Sequence, residues 1–236
     1  VLHGERKVIL RQILAAVMPF YCVLCGEATE KNKALCKGCE LDLPWLKKGC
    51  SICSVPLTVD ADRCGACQHK PPAFDHVHTL FHYQRPVDNL ITGLKFNDRL
   101  ANARLLGGLL AEKLQTMKID PPDALLPVPL HPQRLRERGF NQALELARPL
   151  AKAWHSPLLT RAVVRTRDTQ AQMELPAKQR HSNIRGAFEC TGRLTGKRIA
   201  IVDDVVTTGS TVNELARVLK HNGVERVEVF SIARAG

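Results

Sequence analysis

Residues 198–211 read RIAIVDDVVTTGST, and the fold turns on this stretch. Ile199, Ala200, Ile201 and Val202 make an apolar run of the kind that a sheet buries on both faces. Asp203 and Asp204 follow at its carboxyl end. Each raises the cost of ionising the other, so the pair needs a compensating partner. Thr207, Thr208, Gly209, Ser210 and Thr211 then lead into a helix expected over 211–221, with Val212, Leu215, Ala216 and Leu219 on its apolar side. N–H groups at that helix start and four hydroxyls form an anion cradle, and Gly209 lets the backbone approach a phosphate closely. Each carboxylate suits one hydroxyl of a vicinal diol, with Mg²⁺ nearby offsetting the repulsion between them. With a vicinal diol as the partner, one turn would read a 5-phosphoribosyl group whole. It has neither the Gly-Lys-Ser/Thr of a Walker A loop nor the three spaced glycines of a dinucleotide fingerprint. The plainer alternative is an acidic strand end followed by a Thr/Ser helix cap.

Outward from this turn, strands and helices alternate. Gly223 stops the helix, and VEVFSIA (227–233) reads as a strand. Upstream, 77–83, 124–129 and 163–166 read as strands, and 87–96, 100–117 and 141–153 as helices. LHPQRLRERG (130–139) reads as an arginine-dense loop, and 167–183 as a long polar loop. Such alternation predicts an α/β domain with a doubly wound parallel sheet, whose ligands sit at the carboxyl ends of the strands, where the acidic pair lies.

Eight of the nine cysteines form a regular array, Cys22, Cys25, Cys36, Cys39, Cys50, Cys53, Cys64 and Cys67, as four CxxC pairs separated by ten residues. Two CxxC bends complete a tetrahedral site of four thiolates with no open position, so the array predicts two structural Zn²⁺ ions. A disulfide framework or redox-active pairs would be the alternatives, and the former needs a secreted context that the amino terminus does not supply. Equal gaps leave sequential and interleaved pairing both open. Cys190 reads as an ordinary packed cysteine.

The chain carries 34 Lys+Arg against 23 Asp+Glu, a formal charge of +11. Each Zn²⁺ with four thiolates contributes −2, which brings the balance to +7. Anionic partners are favoured, whereas 5% aromatics leave little for a base-stacking platform. No apolar run reaches the length of a membrane span. Val8, Ile9, Ile13, Leu14 and Val17 share one side of an amphipathic helix over 1–20 that Pro19 ends. The composition shift at QHKPPA (68–73) separates a cysteine segment, 21–70, from a domain at 74–236.

With GLKF (93–96), PVPLHPQRLRERGFNQ (127–142) and TQAQMELPAKQRHSNIRGAF (169–188), the acidic turn and the cysteine array closely resemble the ComF/GntX family over essentially the whole chain. The resemblance implies a double zinc ribbon followed by a type I phosphoribosyltransferase-like domain, in a cytoplasmic protein tied to competence and use of external DNA. It implies that 5-phosphoribosyl 1-pyrophosphate (PRPP) binds with Mg²⁺, its ribose on Asp203 and Asp204 and its 5-phosphate on Thr207 to Thr211. Leu130, His131 and Pro132 would form the pyrophosphate loop, with Arg134 and Arg138 as clamps. Arg167, Gln170, Gln172 and Arg180 would belong to a loop closing over the reacting centre. Single-stranded DNA and a DNA-import or helicase protein are the partners implied. The chain departs from purine-salvage transferases in carrying Thr207 where they carry an aspartate, and its last strand is followed by no hood for an acceptor base. Two functions are therefore expected: a PRPP-responsive protein handling imported DNA, or a Mg²⁺-dependent phosphoribosyltransferase with an unassigned acceptor.

Overall fold

The computed structural model describes residues 20–31, 33–96, 99–167, 184–192, 194 and 198–236. The helix expected over 1–20 lies outside them, apart from Phe20. The chain divides into two compact units, Val1–Leu43 and Pro44–Gly236.

In the first unit, β1 (Phe20–Tyr21) pairs antiparallel with β2 (Ala28–Thr29) across a turn containing Gly26 at φ 78°. A short helix, α1 (Lys37–Leu41), follows, with Cys36 at its N-cap.

The second unit opens with a cysteine knuckle ending in α2 (Gly65–His69). Then come β3 (His76–His82), α3 (Val87–Phe96), α4 (Leu100–Thr116), β4 (Ala124–Pro127), α5 (Pro132–Arg138) and α6 (Gln142–Trp154). After these follow β5 (Val163–Arg165), β6 (Phe188–Cys190), β7 (Arg198–Val206), α7 (Ser210–His221) and β8 (Arg226–Arg234). Four strands form one parallel sheet in the order β3-β8-β7-β4, and β5 pairs with β6 in a separate antiparallel ladder.

The sheet is covered on both faces, as its near-continuous apolar strands require. On one face Ile199, Ile201, Val227 and Val229 join Val212, Leu215, Ala216 and Leu219 of α7 in a single core cluster. On the other, the Trp154 ring of α6 meets Phe230 of β8 at 5.6 Å, and α4 packs against α6. Both sheet edges are capped by irregular chain. Leu46 N–H donates to Leu80 O and His82 N–H to Pro44 O along β3, while Leu125 and Leu159 exchange bonds with 157–159 and β4 on the far side. Such capping hides the open row of N–H and C=O groups that an edge strand presents.

Among the described residues Glu228 is the most deeply buried carboxylate. It is 1% exposed, with Arg198 Nη2 at 2.7 Å, Arg226 Nη2 at 3.2 Å and His78 Nε2 at 3.6 Å. Burial alone would raise its pKa, but His78 and Arg198 outweigh burial and hold it at about 2.

Two features differ from the sequence reading, the helix α5 and the length of β7. Residues 132–138 of the expected loop form α5, because Pro132 pre-sets the first helical turn and Gly139, at φ 78°, closes it in the left-handed conformation. β7 extends past Val202 to Val206, so the acidic pair lies within the strand. The compact units divide at 43/44, which puts the second cysteine knuckle and the 68–73 segment in the same unit as the sheet.

Candidate functional site

β4 stops short of its neighbour. Its pairing with β7 ends at Pro127 and Val202, with one more bond from Val128 N–H to Val202 O, whereas β8 accompanies β7 to Val206. The last four residues of β7 therefore face a crevice on the β4 side, and Asp203 and Asp204 are its first two. They are 9% and 4% exposed. Asp203 Oδ1 accepts the N–H of Asp204 at 2.9 Å, and Asp204 Oδ1 accepts the N–H of Val205 at 2.9 Å.

The compensating partner is Lys95, near the end of α3. Its Nζ lies 2.5 Å from Asp204 Oδ2. That oxygen takes no well-angled hydrogen bond, so the contact is an ion pair of close approach. Burial acts against the Lys95 charge, but the Asp204 carboxylate prevails and raises the lysine pKa. Burial, and then the charge of Asp204, push Asp203 well above the usual carboxylate range, with Lys95 acting in the opposite sense. Sequence reasoning gave Lys95 no role, although it lies in the GLKF stretch; its helix was read from its apolar positions alone.

The turn after the acids is shaped by Gly209, at φ 77° and ψ 2°, which caps α7 in the left-handed conformation. That backbone, not crowding, excludes larger residues, since a Cβ would meet nothing closer than 3.9 Å. Thr208 Oγ1 and Ser210 Oγ share a bond of 2.7 Å, and the first turn of α7 has no side-chain cap from Gly209. A pocket of about 30 Å³ opens inside the turn, lined by Asp203, Thr207, Gly209, Ser210 and Thr211. The lining matches the anion cradle expected at a helix start. Thr208 points away, toward the cysteine knuckle of this unit.

A larger cavity of about 190 Å³ adjoins it. Asp203, Asp204, Thr207 and Thr211 line it, together with Leu130, Arg134 and Arg138 and with Tyr83, Lys95, Gln142 and Arg165 among others. Arg138 Nη1 donates to Gln142 Oε1 at 2.6 Å. Burial lowers the Arg138 pKa, with Asp204 opposing and Arg134 reinforcing the shift, yet a guanidinium keeps its charge. The structure thus brings the acids and the turn together with Leu130, Arg134 and Arg138. His131 instead stands at the N-cap of α5, off the cavity lining. Arg167 is exposed and donates to Arg185 O at 3.0 Å, where 166–167 and 185–187 close the foot of the long loop. Gln170, Gln172 and Arg180 lie outside the described residues.

Tyr83, Gln142 and Arg165 were not singled out from the sequence. Arg165 carried a usable signal. Side chains alternate along a strand, so it shares the buried face of Val163, and a buried arginine on a core face has work to do. Its guanidinium lies 5.7 Å from the centroid of Phe188 on β6.

The cysteines form two separate clusters with sequential membership. Cys22, Cys25, Cys36 and Cys39 make one, and Cys50, Cys53, Cys64 and Cys67 the other, with all sulfurs in each within 4.8 Å of one another. Cys25 and Cys36 are 3.7 Å apart, as are Cys53 and Cys64. Four sulfurs about 2.3 Å from a tetrahedral Zn²⁺ lie about 3.8 Å apart, so the residues fit the ion. In each cluster one thiol is prepared for ionisation. Burial opposes it, but backbone N–H groups outweigh burial and bring Cys22 and Cys50 down to about 6.

Comparison with known proteins agrees with this geometry. A model of the double zinc ribbon domain matches residues 13–68, and one of the phosphoribosyl transferase domain matches residues 137–236. Competence protein F of Haemophilus influenzae is 34% identical over 224 residues, 92% of this chain and 97% of that protein. The chain belongs to the ComF/GntX family. Within that family it also matches the DNA utilization protein YhgH of Escherichia coli, 37% identical over 217 residues, 90% of this chain and 89% of that protein. Competence protein ComFC of Streptococcus pneumoniae is 23% identical over 230 residues, 90% of this chain and 99% of that protein. This ComF/GntX chain has the expected fold, a type I phosphoribosyltransferase-like doubly wound sheet preceded by paired cysteine sites suited to zinc. Among its described residues no helix is long and apolar enough to cross a membrane.

Proposed function

We propose that this protein binds PRPP in the 190 Å³ cavity and acts in the uptake or use of external DNA, in the cytoplasm. The observation that carries the ligand is the convergence of three unlike groups on one space. A diol-matching acid pair, an anion-sized turn at a helix start and two arginines share the lining, and those are the parts a phosphorylated ribose with a pyrophosphate tail needs. Asp203 and Asp204 hold the ribose hydroxyls, the turn Thr207 to Thr211 the 5-phosphate, with Thr208 contributing its backbone and not its hydroxyl, and Leu130, Arg134 and Arg138 the pyrophosphate. Arg138 and Arg134 suit this last role because a guanidinium fork matches phosphate oxygens.

Mg²⁺ accompanies the ligand. The acid pair supplies hard carboxylate oxygens of the kind such an ion takes, although Lys95 Nζ already lies 2.5 Å from Asp204 Oδ2 and would have to share that oxygen; the ion would supply charge neutralisation on the pyrophosphate. The role in DNA use is supported by the names of the relatives, competence protein F and DNA utilization protein YhgH, and by the net positive charge. Single-stranded DNA and a DNA-import or helicase protein are the proposed partners. The proposed organisation is an amphipathic helix over 1–20, a double zinc ribbon over 21–70 and the phosphoribosyltransferase-like domain over 74–236.

Arg134 and Arg138 also favour a second reading, in which the protein is a Mg²⁺-dependent transferase that releases pyrophosphate, with Arg167 and Arg180 acting from the long loop. The two readings separate in one assay, with PRPP, Mg²⁺ and a panel of bases and nucleic acids. Acceptor-dependent pyrophosphate release that disappears in Asp204→Asn supports the transferase, while binding of PRPP without release supports the first reading. Binding of single-stranded DNA should weaken as salt rises; affinity that ignores salt would rule out phosphate contacts by lysines and arginines.

A further inference from the structure

The last residue of β8, Arg234, is 6% exposed and joins two parts of the second unit that otherwise differ in chemistry. Its Nε donates to Cys53 O at 2.9 Å, and its Nη1 donates to Val206 O at 3.0 Å and lies against Thr207 O. Cys53 is a ligand of the second cysteine cluster, while Val206 and Thr207 open the phosphate turn. One guanidinium therefore spans from a metal knuckle to an anion cradle.

The geometry points to a specific consequence. A peptide group is planar, so fixing the carbonyl of Val206 also fixes the N–H of Thr207, and fixing that of Thr207 also fixes the N–H of Thr208. Arg234 thereby sets the direction of donors at the mouth of the turn without touching a ligand. Between the knuckle and the turn lies a cavity of about 500 Å³, bordered by Cys53, Cys64 and Cys67 on one side and Val206, Thr208 and Gly209 on the other. Cys53, Cys67, Phe74 and Val206 also belong to one apolar cluster, and to that non-directional packing the guanidinium adds a directional link. The knuckle end is itself anchored to the sheet, since Val77 N–H donates to Ile52 O at 2.8 Å and Ser54 Oγ donates to Val77 O. Losing metal there frees the Cys50–Cys53 bend, moves the Cys53 carbonyl, and leaves a buried guanidinium short of an acceptor.

We propose that Arg234 is a positioning residue through which zinc at the second cysteine cluster, and not at the first, holds the phosphate turn in its anion-binding shape. The first cluster belongs to the other compact unit, whereas the acceptors named for Arg234 all belong to the second. The ligand class comes from the reading above; the mechanical link does not.

Hydrogen exchange on the full-length, zinc-loaded chain without ligand tests it. Cys53→Ser and Arg234→Gln should each speed exchange of the amides at 207–211 by about tenfold or more, with the strand amides at 199–202 still protected. Their combination should add little to either alone. Arg234→Lys, which keeps the charge but not the fork, should fall between. Cys25→Ser should leave the turn at the wild-type rate. If Cys53→Ser unfolds the unit, Arg234→Gln, with its cysteines and zinc content intact, decides alone. Wild-type exchange at 207–211 in that variant, loss of protection throughout the sheet, or equal loosening by Cys25→Ser would each overturn the proposal. Adding PRPP to the wild type keeps the two readings apart. Absence of protection by PRPP contradicts the ligand, while the unliganded exchange pattern still judges Arg234.

Discussion

At Asp203 and Asp204, burial and mutual repulsion both oppose ionisation, and Lys95 Nζ at 2.5 Å acts against them. Replacing Lys95 by methionine keeps its volume and removes that charge. Breaking a buried pair by deleting one partner costs about 3 kcal/mol, and here the cost should depend on pH. The folded pKa of Asp203 is raised, so its penalty begins as pH rises past the ordinary carboxylate range, grows up to the folded value and is complete above it, and removing Lys95 moves that folded value higher still. The stability deficit of Lys95→Met should therefore be larger at pH 8 than at pH 5. Urea melts at the two pH values check this, and an equal deficit at both would show that Lys95 acts by packing alone. The acid pair and the turn residues were legible because their chemistry is local: carboxylates after an apolar run, hydroxyls around one glycine. Lys95, Tyr83 and Arg165 were not, since they reach the cavity from three elements far away in sequence, and only the folded sheet brings them to it.

The same division holds among elements. β7, α7 and β8 were readable, since a buried parallel strand is an unbroken apolar run and an amphipathic helix has a fixed period. α5 was missed because its arginines hid the Pro132 and Gly139 signals at its ends. β6 has only three residues and takes its place from β5. Two element-scale changes follow from packing. α4 and α6 approach so closely at Gly107 that a Cβ there would lie 2.5 Å from Leu146 O and 3.0 Å from Pro149 Cγ. Gly107→Ala should thus cost about 1–3 kcal/mol, read as a lower urea midpoint at unchanged slope. In β8, Glu228 is held at about 2, below its unfolded value, so its stabilisation is complete above pH 4.5 or so and fades as pH falls toward 2. Glu228→Gln should lose up to about 3 kcal/mol at pH 7 and flatten the acid limb of the stability curve. An acid limb identical to that of the wild type would show that Glu228 does not contribute to it.

For the whole molecule, the cysteine array was legible as two metal sites but not as to how they divide. Equal spacing carries no information on pairing, and the structure assigns the four ligands of each site in sequence order. Nor did composition show that the second knuckle belongs with the sheet. Its cysteines Cys50, Cys53 and Cys67 lie in one apolar cluster with Phe74, Val77 and Val206, a link made by tertiary packing. Zinc ribbon, sheet edge and phosphate turn thus share one core, and the proposed ligand site is assembled at the margin of that core. Titration calorimetry of zinc-loaded protein with PRPP and Mg²⁺ tests the account most directly. Saturable binding at one site per chain, weakened at least about tenfold in the Asp203→Asn, Asp204→Asn double variant, is the predicted result. No heat of binding with Mg²⁺ or Mn²⁺ present, or equal affinity in the double variant, would contradict it.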